Sequence, residues 1–138
     1  MILKSVIFAI CLTAMDAAEA QDISFIGQPL AGVKEMVRED YPDFAVDAGI
    51  TRQRFNYLKY VNFSGTITWI FYFSEDTVCT STKKVYEYGL MDQVIKELDE
   101  KFNPVAENTW EYSIDGVAYQ VVMEEKDWYF TVRNRLKK

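Results

Sequence analysis

The fold is set by one stretch of sequence, Thr66-Ile-Thr-Trp-Ile-Phe-Tyr-Phe73. Its apolar residues recur with a period of two, which predicts a β-strand with one side in a core. That side carries Ile67, Trp69, Phe71 and Phe73. Ile70 and Tyr72 on the other side are also large, which is typical of a strand in the interior of a sheet. We therefore predict a central strand here.

Further strands are predicted on both sides of this stretch. From residue 54 the period is also two, with Tyr57 and Lys59 pointing one way and Leu58 and Tyr60 the other. Asp115-Gly116 is a strong signal for a β-hairpin turn. The full set predicts an antiparallel sheet of about six to seven strands, at residues 44–48, 54–61, 66–73, 78–88, 108–113, 117–124 and 128–134.

Two segments have the apolar spacing of helices. The first begins after Pro29 and ends before Pro42, and the second begins after Gly89 and ends at Asn103-Pro104. The apolar stripes are Leu30, Val33, Met36, Val37 and Tyr41 in the first helix, and Met91, Val94, Ile95, Leu98 and Phe102 in the second.

The two halves of the chain resemble each other. A shift of 61 residues places Val33 on Val94 and Val37 on Leu98, and it places Ile67 on Trp128. This pattern favours a tandem duplication of helix-strand-strand-strand, with pseudo-repeats at about 29–88 and 89–134 and the strand 78–88 linking them. The predicted fold is a single α+β domain, residues 21–138, with both helices on one face of the sheet. The residues expected under the helices are Trp69, Phe71, Phe73, Trp128 and Phe130.

The N-terminal residues have the three-part pattern of a secretory signal peptide. Lys4 supplies positive charge, residues 5–15 are an apolar run, and Ala18 and Ala20 are the small residues that signal peptidase reads. The apolar run is about half the length of a helix that crosses a bilayer. We therefore predict cleavage after Ala20, a secreted or periplasmic protein, and no transmembrane segment in the mature chain.

Composition excludes several classes of function. The chain has 15 Lys and Arg against 21 Asp and Glu, a net charge of -6, which argues against nucleic acid as a partner. It has no histidine, which excludes Ser-His-Asp triads and histidine general bases. After cleavage one cysteine, Cys79, remains, so neither an internal disulfide nor a multi-cysteine metal site can form. We predict no catalytic residues, no cofactor and no metal.

The layout resembles known secreted proteins. A signal peptide followed twice by a helix and antiparallel strands is similar to the beta-lactamase-inhibitor-protein-like class, whose secreted bacterial domains hold another protein on a concave sheet. Residues 25–33, Phe-Ile-Gly-Gln-Pro-Leu-Ala-Gly-Val, resemble small envelope proteins of the SmpA/OmlA type. The chain is also similar in style to secreted proteins of Bacteroidota. These resemblances imply the fold, the compartment and a binding role, but they assign no functional residue in this chain.

Aromatic residues are the feature most in excess. A sheet with helices on one face buries alternate residues only, so we predict that Tyr60, Tyr72 and Tyr129 stand with Arg133 on the open face. Tyr and Arg are residue types that anchor interfaces, and tyrosine rings also stack on sugars. The predicted function is a non-catalytic domain that binds a protein or peptide, and the alternative is a carbohydrate-binding module.

Weaker patterns point to enzymes. Carboxylates cluster at residues 39–40, 99–100 and 124–127, and two opposed carboxylates can hydrolyse a glycosidic bond, so a carboxylate-dependent hydrolase is the third alternative. Ser81 and Lys84 have the Ser-x-x-Lys spacing of penicillin-interacting enzymes, but a strand would place them on opposite sides. We expect Cys79 to be a buried, inert thiol.

Overall fold

The computed structural model describes residues 25–47 and 56–137, which form two α-helices and eight β-strands. The predicted signal peptide, residues 1–20, lies outside the described residues. In chain order the elements are α1 (Leu30–Asp40), β1 (Phe44–Val46), β2 (Tyr57–Asn62), β3 (Ile67–Phe73), β4 (Cys79–Glu87), α2 (Met91–Lys101), β5 (Asn103–Ala106), β6 (Thr109–Ile114), β7 (Val117–Glu125) and β8 (Tyr129–Leu136).

All of these strands belong to one open antiparallel sheet, in the order β1-β2-β3-β4-β8-β7-β6-β5. The predicted α+β class is confirmed, but the described sheet has one strand more than the six to seven predicted. The extra strand is β5, which pairs Pro104 with Trp110 at the edge of the sheet. Its four residues are all exposed, so they lack the alternation that indicates a strand. Proline is tolerated there because an edge strand has a side without ladder hydrogen bonds.

Both helices form where their apolar stripes predict them. The buried residues are Val33 and Val37 in α1 and Val94 and Leu98 in α2, at equivalent positions of two helices of 11 residues. Each helix ends with a backbone hydrogen bond that closes its last turn. Within the described part of the chain, no helix is both long enough and apolar enough to span a membrane.

Both helices cover the same side of the sheet. Directly paired residues of antiparallel strands point to one side, and the register pairs Trp69 with Lys84 and Lys84 with Val132. Trp69 packs in the core under α1, and Val132 packs in the core under α2. The core under α1 is Phe25, Val33, Val37, Leu58, Tyr60, Trp69, Phe71, Phe73 and Cys79, and the core under α2 is Val94, Leu98, Trp110, Val121, Met123, Phe130 and Val132.

The prediction that Trp128 lies under the helices is wrong. Strand β8 begins one residue later than predicted, so Trp128 belongs to the turn that precedes it, and its side chain is 85% exposed. Phe130, two residues on, is fully buried as predicted. The alternating pattern of apolar residues therefore begins one residue before the strand itself.

The opposite side of the sheet is covered by neither helix, and we call it the open face. By register it carries residues of six neighbouring strands. They are Tyr57, Lys59 and Val61 on β2, Thr68, Ile70 and Tyr72 on β3, Ser81, Lys83 and Val85 on β4, Tyr129, Thr131, Arg133 and Arg135 on β8, Gln120, Val122 and Glu124 on β7, and Thr109, Glu111 and Ser113 on β6.

Candidate functional site

The centre of the open face is formed by three adjacent strands, β3, β4 and β8. The register pairs Ile70 with Lys83 and Lys83 with Arg133, so these three side chains form one row across the sheet. The Arg133 guanidinium lies 5.7 Å from the centre of the Tyr72 ring, which stands in the next row. A guanidinium over an aromatic face is attracted by the ring quadrupole. This contact favours a conformation of Arg133 in which its guanidinium lies over the Tyr72 ring.

Three of the four residues predicted for the binding surface lie on the open face. Tyr72 and Arg133 are half-buried at its centre. Tyr129 begins β8 opposite Glu87 and is 40% exposed. Since residues of a strand advance by about 3.3 Å each, Tyr129 stands about 13 Å from Arg133, at the end of the sheet.

The predicted position of Tyr60 is wrong. Tyr60 pairs with Trp69 on the side that α1 covers, and its side chain is 4% exposed. Its ring contacts Phe71 edge-on with centroids 5.8 Å apart. Burial also raises the pKa of its phenol. Tyr60 lines a pocket of about 750 Å³ between α1 and strands β1 and β2, and it is absent from the open face.

Four exposed aromatic residues lie at one end of the sheet, and of these the sequence patterns placed Tyr129 alone on an exposed surface. Tyr129 lies at this end, with Phe63 in the turn between β2 and β3, Tyr88 directly after β4 and Trp128 directly before β8. Phe63 is 79% exposed, and the Tyr88 hydroxyl donates a hydrogen bond of 2.6 Å to Glu125. That hydrogen bond raises the pKa of Tyr88. Among the described residues these four are the exposed aromatics, and their places beside turn residues are the signal that could have found them.

Basic side chains on the open face and at its margins divide into two groups. Three of them pair with carboxylates at its margins, since Lys59 binds Asp47 at 3.6 Å, Lys137 binds Glu111 at 2.8 Å and Lys126 binds Glu124. Lys126, and beyond it Lys83 and Arg133, lower the pKa of Glu124. Lys83, Arg133 and Arg135 form no ion pair within the described part of the chain.

The candidate catalytic residues are not brought together. Ser81 pairs with Tyr72 on the open face, whereas Lys84 lies over the Trp69 ring on the covered face, at 4.2 Å from its centre. Cys79 is free and 1% exposed, and burial raises the pKa of its thiol to about 11. A thiol with that pKa stays protonated at neutral pH and is a poor nucleophile.

Three carboxylates of the predicted clusters, Asp99, Glu124 and Glu125, have structural partners. Asp99 accepts a hydrogen bond of 2.8 Å from the indole of Trp110, which ties α2 to β6. Glu124 and Glu125 bind Lys126 and Tyr88. Among the described residues, no group of three or more cysteine and carboxylate side chains is arranged to hold a metal ion. Asp99, Glu124 and Glu125 therefore contribute to helix and turn contacts.

Comparisons with known proteins add no relative to this description. Neither protein-family models, nor curated proteins, nor solved structures gave a match to the chain. The resemblance to the beta-lactamase-inhibitor-protein-like class therefore depends on the order of helices and strands, and it stays a prediction.

Proposed function

We propose that this protein is a secreted or periplasmic binding domain without catalytic activity, and that its open face engages a protein or peptide. One observation carries the proposal: Arg133 lies on the Tyr72 ring at the centre of a sheet face that neither helix covers. Tyrosine and arginine dominate binding hot spots because each combines a large contact area with directed polar groups. Tyr129 extends the same surface to the exposed end of the sheet.

The shape of this surface favours a macromolecule. Small-molecule sites are concave and enclose most of their ligand, whereas the open face presents rows of side chains from six adjacent strands. An extended peptide or the surface of a folded protein can contact several rows at once. Contacts to several rows can together bury a surface of the size that specific protein–protein association requires.

A selection from a random peptide library tests the proposal. We expect selected peptides to shift the amide NMR signals of β3, which carries Tyr72, of β8, which carries Arg133, and of β4 between them. The double variant Tyr72→Ala/Arg133→Ala should bind them at least about tenfold more weakly, since each hot-spot residue contributes about 2 kcal/mol. Its melting temperature should remain close to that of the parent protein.

The matched control is Arg38→Ala, which removes an exposed arginine from α1. This variant should bind the peptides as the parent does. Binding that shifts signals of α1 and α2, or that the double variant retains in full, would contradict a site on the open face.

The proposed compartment has its own test. Expression of the full sequence in a bacterial host should release a mature protein that begins at Gln21, identified by its mass in the periplasmic fraction. Replacement of Ala18 and Ala20 by bulky residues should block this processing, because signal peptidase requires small residues there. Unprocessed protein in the cytoplasm of the host would contradict the proposal.

Trp128 favours a second candidate function, carbohydrate binding. Its indole is 85% exposed beside Tyr129, and exposed aromatic faces stack on sugar rings. A glycan array distinguishes the candidates: a carbohydrate-binding module should bind a defined set of glycans and lose them in Trp128→Ala. Phe63→Ala, which removes an exposed aromatic from a neighbouring turn, should keep them. An array without specific signals would exclude this candidate.

A further inference from the structure

The open face has a cluster of positive charge at its centre. Lys83 and Arg133 are directly paired across β4 and β8, and Arg135 pairs with Ser81 in the next row. Directly opposed side chains of antiparallel strands have Cβ atoms about 5 Å apart, and like charges in such positions destabilise a sheet. The carboxylate of Glu124 on β7 is bound to Lys126, which lowers its pKa, and Lys83 and Arg133 lower that pKa further, so one negative charge faces three positive ones. Folding contacts therefore offset the repulsion between Lys83 and Arg133 only in part, and a local conflict of this kind is typical of functional sites.

Apolar surface flanks the charged cluster. Ile70 lies beside Lys83, Tyr72 lies under Arg133, and Val85 lies in the row on the other side of Lys83. Arg133 is half-buried, and its contact with the Tyr72 ring favours one orientation of the guanidinium. A guanidinium that is already oriented loses less entropy when it forms a bidentate pair with a carboxylate.

The charge of the whole chain narrows the choice of partner. With a net charge of -6 the chain repels most strongly a partner of dense, continuous negative charge such as a nucleic acid, and the cluster is a local exception on an acidic molecule. A polypeptide with isolated carboxylates between apolar side chains fits both the cations and the apolar rows. We propose that the open face binds an acidic, extended polypeptide segment, with a carboxylate held between Lys83 and Arg133; this inference rests on the proposed function.

The variant Lys83→Glu tests the inference without a loss of folding. It replaces a like-charge pair by an ion pair with Arg133, which offsets the lost attraction between Lys83 and Glu124, so the melting temperature should stay close to that of the parent protein. The probe is a fluorescently labelled copolymer of Glu and Tyr in equal amounts, so that its carboxylates are interspersed with aromatic side chains. The parent protein should bind it, and Lys83→Glu should bind it at least about tenfold more weakly, because attraction becomes repulsion. Lys34→Glu makes the same charge change on the exposed side of α1 and should bind as the parent does.

Three results would overturn the inference. The first is equal binding by Lys83→Glu and the parent protein. The second is absence of copolymer binding while neutral peptides selected from the library still bind the open face, and the proposed function would then stand without this partner class. The third is tighter binding of heparin or of single-stranded DNA than of the copolymer, which would indicate a general polyanion surface. If neither selected peptides nor the copolymer shift signals of β3, β4 and β8, the proposed function fails as well.

Discussion

Tyr60 and Tyr72 show how far a pattern of alternating residues can be interpreted. Alternation correctly placed Tyr60 and Leu58 on one side of β2 and Tyr57 and Lys59 on the other side. It could not say which of the two sides the helices cover, because that depends on packing between distant segments. The same pattern correctly placed Tyr72 and Trp69 on different sides of β3. The open-face positions of Tyr72, Tyr129 and Arg133 were therefore predictable, and the position of Tyr60 was not.

Replacement of each tyrosine by alanine should separate a core role from a surface role. Tyr60→Ala removes a ring from the core under α1 and should reduce the free energy of unfolding by about 3–5 kcal/mol. Tyr72→Ala removes a half-buried ring and its contact with Arg133, and should cost about 1 kcal/mol or less. Urea unfolding followed by circular dichroism measures both. Equal losses in the two variants would contradict the assignment of faces.

Cys79 should make stability depend on alkaline pH. Because burial raises the pKa of its thiol from 9.0 to about 11, the folded protein keeps a proton that the unfolded chain releases. This contribution to stability is fully present below about pH 9 and is lost as the pH rises through about 11. Urea unfolding across this range should show the loss, and Cys79→Ala should remove that part of the pH dependence.

The same burial should protect Cys79 from labelling. In a chain carrying Cys11→Ser, a thiol reagent at about pH 8 should modify Cys79 only as fast as the protein unfolds, since the thiolate is the reactive form. Modification of the native protein within seconds would show that the thiol is accessible.

At the scale of single elements, helices were easier to predict than strands. Each helix has an apolar stripe and a proline near its end, and both end within two residues of the prediction. The hairpin turn at Asp115-Gly116 was also predictable: both residues have positive φ, 50° and 82°, a geometry that favours Asp-Gly. Strand β5 has no such signal, because pairing with β6 rather than its own residues makes it a strand.

The turn between β2 and β3 depends on the side chain of Asn62. Its carbonyl oxygen accepts a hydrogen bond from the backbone N–H of Ile67, and its amide nitrogen donates to the Thr66 hydroxyl, both at 3.0 Å. Asn62→Ala should therefore reduce the free energy of unfolding by about 1–2 kcal/mol. Asn62→Asp keeps the acceptor and should lose less. Equal unfolding midpoints for the parent protein and Asn62→Ala would show that the backbone alone holds this turn.

At the scale of the whole molecule, a helix followed by four strands occurs twice, and the two sets meet at β4 and β8. The 61-residue shift matches the helices correctly. By position in the sheet, however, β3 corresponds to β7, whereas the shift sets Ile67 against Trp128 just before β8. The strand predicted to link the two repeats, residues 78–88, is β4, the fourth strand of the first set. Loops of different length between the strands explain why one constant shift cannot match both helices and strands.

Each set of elements has its own core, and seven residue pairs between β4 and β8 join the two sets. One tryptophan reports on each core, Trp69 under α1 and Trp110 under α2. We expect the ladder to couple the cores, so that fluorine NMR of protein labelled with 5-fluorotryptophan gives one urea midpoint for both residues. Signals are assigned by replacing one tryptophan at a time with phenylalanine.

The substitution Val85→Pro removes a ladder hydrogen bond in the strand that joins the two cores, because every backbone N–H of an interior strand bonds to one neighbour or the other. The midpoints of Trp69 and Trp110 should then separate. Val105→Pro makes the same change in the edge strand β5 and should leave them together. Separate midpoints in the parent protein would mean that each helix and its four strands fold alone, and the open face would then be a surface formed by two independently stable units.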